Sequence, residues 1–134
     1  CELERLVQPN FSPPLVVTPV VATLDYHLVA TLHASPDEVD AIFLAPLEIF
    51  LEDGDHHTYV EMDVKKVQGN LGSYRAHHFR VESEGSFFDV WGQTADILMY
   101  VASVVFDRQP KFQMKNVNAY NCICTGNPSS HCRL

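Results

Sequence analysis

Residues 87–106 read FFDVWGQTADILMYVASVVF. The stretch holds the only tryptophan, Trp91, at the point where strand-like residues give way to a helical pattern. Residues 87–91 are aromatic and β-branched in character, as a strand prefers. Gly92 has no Cβ and permits a sharp turn out of a sheet. Thr94 is placed to cap a helix, with Asp96 favourably sited in its first turn. Ile97, Leu98, Val101, Ala102, Val104 and Val105 then recur at helical spacing and make one apolar stripe. The prediction is strand, tight turn, buried helix. Trp91 is expected to be core, packed between sheet and helix among Phe88, Val90, Ile97 and Leu98.

Working upstream, SYRAHHFRV (73–81) and SFFDVW (86–91) flank ESEG (82–85), which reads as a hairpin turn. The stretch 55–72, with His56, His57, Gly69 and Gly72, predicts an irregular loop with some strand. Pro46 suits the first residue of a short helix, PLEIFLED (46–53), stopped by Gly54. Before it, VDAIFLA (39–45) predicts a strand after a turn at SPDEV. LVVTPVVATL (15–24) predicts a buried strand, with Pro19 at an edge or bulge because it has no N–H to donate. ELERLV (2–7) alternates polar and apolar and predicts a short strand, and the prolines of QPNFSPP forbid helix after it. The class is α+β, with a domain over 1–110. Residues 111–134 have no sustained period and predict a flexible tail.

The 134 residues suffice for one domain with a real core. At 46% apolar and 19% charged the composition is globular. A formal charge of −8, with nine scattered basic residues, argues against a nucleic-acid backbone as partner. No apolar run reaches the ~18 residues of a membrane helix. The opening CELERLVQPN lacks a basic start and apolar core, so no signal peptide is expected there, and the missing initiator Met suggests a processed product or a fragment. Cys122, Cys124 and Cys132 crowd the last thirteen residues, with Cys1 at the other end. C-x-C followed by a Pro-Ser loop and His131 lacks the paired spacing of a zinc site, so a tail without metal in a reducing compartment is the simpler reading.

Direct chemistry gives no active site. His56-His57 and His77-His78 each place neighbours on opposite faces of a strand, so a pair supplies at most one ligand to a site. Solvated or satisfied histidines are the expectation. There is no G-x-S-x-G elbow, and GNLG is too short for a phosphate loop. The acidic clusters PDEVD and EDGD read as solvated turns.

Three stretches in order carry a family resemblance: LVVTPVVATLD, SPDEVDAIFLAPLEIFLED and FFDVWGQTADIL. They resemble the C-terminal part of the coenzyme A diphosphatases of the Nudix hydrolase superfamily. There a strand ending in Pro-Val precedes an E-V-x-x-x-F-x-x-P-L-x-x-F-L module, matched here by Glu38, Val39, Phe43, Pro46, Leu47, Phe50 and Leu51. A W-G-x-T-A-like motif opens the last long helix, matched by Trp91, Gly92, Thr94 and Ala95. The match covers 15–110 and implies the C-terminal part of an α/β/α sandwich with a mixed sheet. It makes Trp91 and Thr94 candidates for the substrate pocket, with CoA or acyl-CoA as the small-molecule partner. The ending Cys132-Arg133-Leu134 resembles the peroxisomal S-K-L address, which implies a peroxisomal import receptor as a second partner.

The superfamily's catalytic motif, G-x5-E-x7-R-E-U-x-E-E-x-G-U with U aliphatic, has no counterpart here. The chain contains neither Glu-Glu nor Arg-Glu. Those glutamates would bind the Mg²⁺ or Mn²⁺ expected of a whole enzyme, so no catalytic or metal-binding residue is carried over. The expectation is a portion starting immediately downstream of that motif, inactive alone. A shortened isoform acting as a CoA-binding or regulatory module is the alternative, and a free-standing α+β module a third.

Overall fold

Three antiparallel strands form the main sheet of the computed structural model, which describes residues 6–8, 15–64 and 72–114. They are β3 (His57–Val64), β4 (Gly72–Ser83) and β5 (Ser86–Trp91), hydrogen-bonded in that order. β1 (Leu6–Gln8) and β2 (Leu15–Val17) make a separate antiparallel pair. The register pairs Tyr59 with His77, and Phe79 with Val90. Between β4 and β5 the turn is the two residues Glu84 and Gly85, at φ 51° and 77°. Two consecutive positive φ values match the twist of a tight hairpin, and glycine at the second position relieves half of the steric cost.

β5 passes directly into α2 (Gly92–Phe106), and Gly92 takes φ 62° at the junction. A Cβ there would meet no atom within 4 Å, so the requirement for glycine is the backbone angle itself. α2 buries Ala95, Met99 and Ala102. Their i, i+4, i+7 spacing defines the face that meets Phe50, Leu51, Phe79, Val81 and Val90 in the core. Phe50 and Leu51 come from a 3-10 helix, Leu47–Leu51, which follows Pro46. The Phe50 ring meets Phe79 edge-on, with centroids 5.1 Å apart. Upstream, among the described residues, lies one turn of helix, α1 (Tyr26–Val29), whose first turn is capped by the Asp25 carboxylate accepting from the His27 N–H at 3.0 Å.

Beyond α2 the chain reverses at Asp107, in the left-handed region at φ 49°. Residues 108–114 then return across the 3-10 helix as a strap. The Lys111 N–H donates to the Leu51 carbonyl at 2.8 Å, and Phe112 and Met114 pack against the core. Arg108 bridges Glu48 and Glu52 at 2.8 and 2.7 Å, and Lys111 reaches Glu52 at 2.6 Å.

The hairpin, the turn at Gly92 and the long helix match expectation, and an α+β partial Nudix arrangement accommodates them. Several elements differ. β1 begins at Leu6, and residues 1–5 lie outside the described set. In 15–24 the strand is Leu15–Val17, ending two residues before Pro19, with an isolated bridge at Val20. Residues 39–45 form no strand and bend at Asp40, leaving Val39, Ile42 and Leu44 exposed. The strand expected within 55–72 is β3, which takes up all of His57–Val64. The short helix is a 3-10 helix with Pro46 at its cap, ending at Leu51 well before Gly54. The helix α2 begins at Gly92, so Thr94 is already its third residue and caps nothing. Its buried face is rotated from the expected stripe: Ile97, Leu98, Val101 and Val104 are half-buried and Val105 is exposed. The cysteines, His131, Gly69 and Cys132-Arg133-Leu134 fall outside the described residues.

Candidate functional site

Trp91 is not a core residue. Its side chain is 57% exposed, because the alternation that buries Val90 turns Trp91 to the other face of β5. There it lies parallel to the ring of its cross-strand partner His78, centroids 5.4 Å apart and planes 1° apart. The His78 Nδ1–H donates to the Asp89 carboxylate at 2.9 Å, which fixes the imidazole plane against the indole. Next along the hairpin the Arg80 guanidinium covers the Phe87 ring at 3.8 Å. Phe87 is also 57% exposed. The result is a solvent-facing strip of two aromatic rings with a guanidinium between two acidic positions, Asp89 and Glu82. An exposed indole backed by a second flat ring offers a π-face to a planar ligand, and Arg80 offers charge for an anionic one.

Trp91 also occupies the cap position of α2, and no side chain caps the helix there. Thr94 stands exposed in the first turn, close in sequence to the indole. The two sequence-predicted pocket residues therefore share the head of α2 and its junction with the sheet. Asp96, expected in the first turn of the helix, lies one turn further in, where it is buried and accepts a 2.8 Å bond from the Tyr74 hydroxyl. Burial and the Asp96 charge both push the Tyr74 phenol up from its ordinary pKa, so it stays a donor.

The histidines give the second constellation, which the sequence did not reveal. His57 and His77 point to the same side of the sheet and share a 2.9 Å hydrogen bond between His57 Nε2 and His77 Nδ1. Asp53 Oδ1 lies 3.1 Å from His57 Nδ1. A carboxylate accepts only, so His57 Nδ1 carries a proton, and in the neutral pair His77 Nδ1–H donates to His57 Nε2. That leaves His77 Nε2 a lone pair, buried and with no hydrogen-bond partner among the described residues. Burial, then the charges of His57, Arg75 and His78, lower the His77 pKa to about 4. The Phe112 ring closes over the pair, 3.9 Å from His57 and 5.1 Å from His77 between centroids. The His77-His78 doublet does split across the sheet, as period two demands, whereas His56 precedes β3 and, like His57, lies against the Phe79 ring. His57 is satisfied at both ring nitrogens, and His77 at Nδ1 alone. Their meeting follows from the β3–β4 register, hidden while the strand within 55–72 had no bounds or partner, and nothing in the sequence around Phe112 announced its contact.

Among the described residues no three His, Cys, Asp or Glu side chains converge as a metal-binding group. The Asp53-His57-His77 chain presents ring edges to one another and not to a common point. These residues do not fit a divalent cation, and no step is derived through one. No helix among the described residues is long and apolar enough to cross a membrane.

No family model matches the chain. Among curated proteins it is similar to "Nudix hydrolase 15, mitochondrial" of Arabidopsis thaliana, 36% identical over 78 residues, which are 58% of this chain and 25% of the relative. It is also similar to "Nudix hydrolase 22, chloroplastic" of Arabidopsis thaliana, 33% identical over 112 residues, 83% of this chain and 35% of the relative. The chain thus spans a quarter to about a third of the length of these relatives. It is a homologue of part of the Nudix hydrolases.

Proposed function

We propose that this Nudix homologue forms the nucleotide-holding wall of a hydrolase that cleaves the phosphoanhydride of CoA and acyl-CoA. The products would be 3′,5′-ADP and phosphopantetheine or its acyl form. The observation that carries the reading is the Trp91–His78 stack at the head of α2, in a chain homologous to Nudix hydrolases. In this role the indole receives the adenine face, Arg80 faces the phosphates, and Thr94 donates from the first turn of α2. Mg²⁺ or Mn²⁺ would be held by carboxylates that lie elsewhere in the whole protein, since the residues described here do not fit a cation. Support for CoA over other nucleoside diphosphates comes from the ordered P-L-x-x-F-L and W-G-x-T-A modules.

The test is chromatography of CoA incubated with Mg²⁺ or Mn²⁺ and either the 134-residue chain or the full-length gene product. The full-length protein is expected to release 3′,5′-ADP and the 134-residue chain to release none. Release by the short chain, or cleavage of other nucleotides but not of CoA by the long one, would refute the reading. The ending Cys132-Arg133-Leu134 supports a peroxisomal address read by an import receptor, although the two relatives are named for mitochondria and chloroplasts. A fluorescent fusion that loses punctate peroxisomal location when these three residues are removed would bear this out, and one that never acquires it would not.

A further inference from the structure

We propose that His57 and His77 form a pH-sensitive latch that holds the strap of residues 108–114 against the sheet at neutral pH and releases it in mild acid. The basis is the geometry of the pair. Two buried imidazoles share one hydrogen bond, with a carboxylate fixing its direction. One extra proton can be accommodated in principle: His57 then carries hydrogens on both ring nitrogens and donates to His77 Nδ1, and the hydrogen of His77 sits on Nε2. There it becomes a buried donor with no acceptor among the described residues. A second extra proton puts hydrogens on both facing nitrogens, which destroys the 2.9 Å bond and leaves two cations with ring centroids 5.2 Å apart.

Phe112 is what keeps water from the pair, so hydrating a charged His77 requires the strap to lift. The other groups facing the pair do not supply an alternative. On the turn before β3, Asp53 is held below the usual carboxylate range by the His57 hydrogen bond, and His56 donates to the Ile49 carbonyl at 3.3 Å. From β3 and β4, Tyr59 lies beneath the Arg75 guanidinium, and Arg75 pairs with Glu61 at 2.6 Å and donates to the Gln113 carbonyl at 2.9 Å. On the outer face His78 is bound to Asp89. On the strap, Lys111 is bound to Glu52, whose carboxyl Lys111 and Arg108 hold below its ordinary range. Arg75 and Lys111 are cations and oppose further positive charge, while the Glu52 anchor stays ionised in mild acid.

The sign follows from the lowered His77 value. A free imidazole titrates near ~6.5 and His77 in the closed latch near about 4, so the closed form binds fewer protons. Its stability is complete above ~6.5 and is lost progressively as pH falls toward 4, the open fraction rising roughly tenfold per unit for one proton taken up.

Amide exchange measured by NMR on the 134-residue chain, corrected for intrinsic rates, tests the latch. Protection of the Lys111 amide, bonded to Leu51, should fall about tenfold per pH unit between ~6.5 and ~4.5. Protection of the Ala102 amide, inside α2, should hold steady. His77→Gln retains a donor for His57 without titrating, so its Lys111 protection should be flat with pH. If that variant does not fold, the imidazole nitrogen shifts of the unaltered chain decide. Titration of His77 near 6.5 with Lys111 still protected would overturn the proposal, as would flat Lys111 protection in the unaltered chain.

Discussion

Replacing Trp91 by alanine separates the two roles open to the only indole. Its side chain is 57% exposed and its principal neighbour is the flat His78 ring. A fully buried aromatic side chain covers ~150–250 Å², so Trp91 buries roughly 70–110 Å². At about 25 cal/mol per Å², discounted for a compact unfolded chain, the loss should be ~1–2 kcal/mol. Phe79 provides the internal standard. It is 0% exposed and touches Phe50, His57 and Phe112. Phe79→Ala should cost about 3–5 kcal/mol, as large-to-small core changes do. Urea unfolding followed by far-ultraviolet circular dichroism compares the variants without needing the tryptophan signal. The slope with denaturant should be equal in all three proteins, so that midpoints report stability alone. If Trp91→Ala costs as much as Phe79→Ala, the indole is buried in solution and the surface strip does not exist.

Gly92→Ala should destabilise by ~1–2 kcal/mol through the left-handed backbone alone, since the added Cβ meets no neighbour. A thermal melt that is unchanged would mean that Gly92 does not hold a positive φ at the sheet-to-helix junction. Residues 20–44 expose Val20, Leu24, Tyr26, Leu28, Leu32, Ile42 and Leu44. Such apolar surface is unusual on a monomer, so light scattering should show concentration-dependent association that Ile42→Lys weakens. A strict monomer at every concentration tested would contradict this.

The parts legible in the sequence were those set by local chemistry. Glu84 and Gly85 between alternating residues announced the hairpin, and Gly92 after a β-branched, aromatic run announced the exit from the sheet. What misled was burial, which depends on partners that lie far along the chain. The stripe from Ile97 to Val105 has the right period, yet the face set by Ala95, Met99 and Ala102 is the one that meets Phe50 and Leu51. Small side chains allow that close approach, while a count of large apolar residues favours the wrong face. Trp91 was misassigned for a related reason. Strand alternation had already allotted Val90 to the core, and period two forces its neighbour outward. The run at 39–45 has strand composition but no described partner strand, and a strand exists only with its ladder. His57 and His77 meet through register, which neither doublet reveals alone.

The most direct measurement of the central claim is a fluorescence titration of Trp91, whose emission is the only indole signal in the chain. CoA and 3′,5′-ADP should both quench it saturably, while pantetheine, which lacks the nucleotide, should not. Calorimetry of Trp91→Ala with 3′,5′-ADP should show binding weakened by about 5- to 160-fold, the equivalent of the ~1–3 kcal/mol of one base–aromatic stack. Emission unmoved by either nucleotide, or full affinity retained by Trp91→Ala, would contradict the assignment of the Trp91–His78 face as the adenine platform.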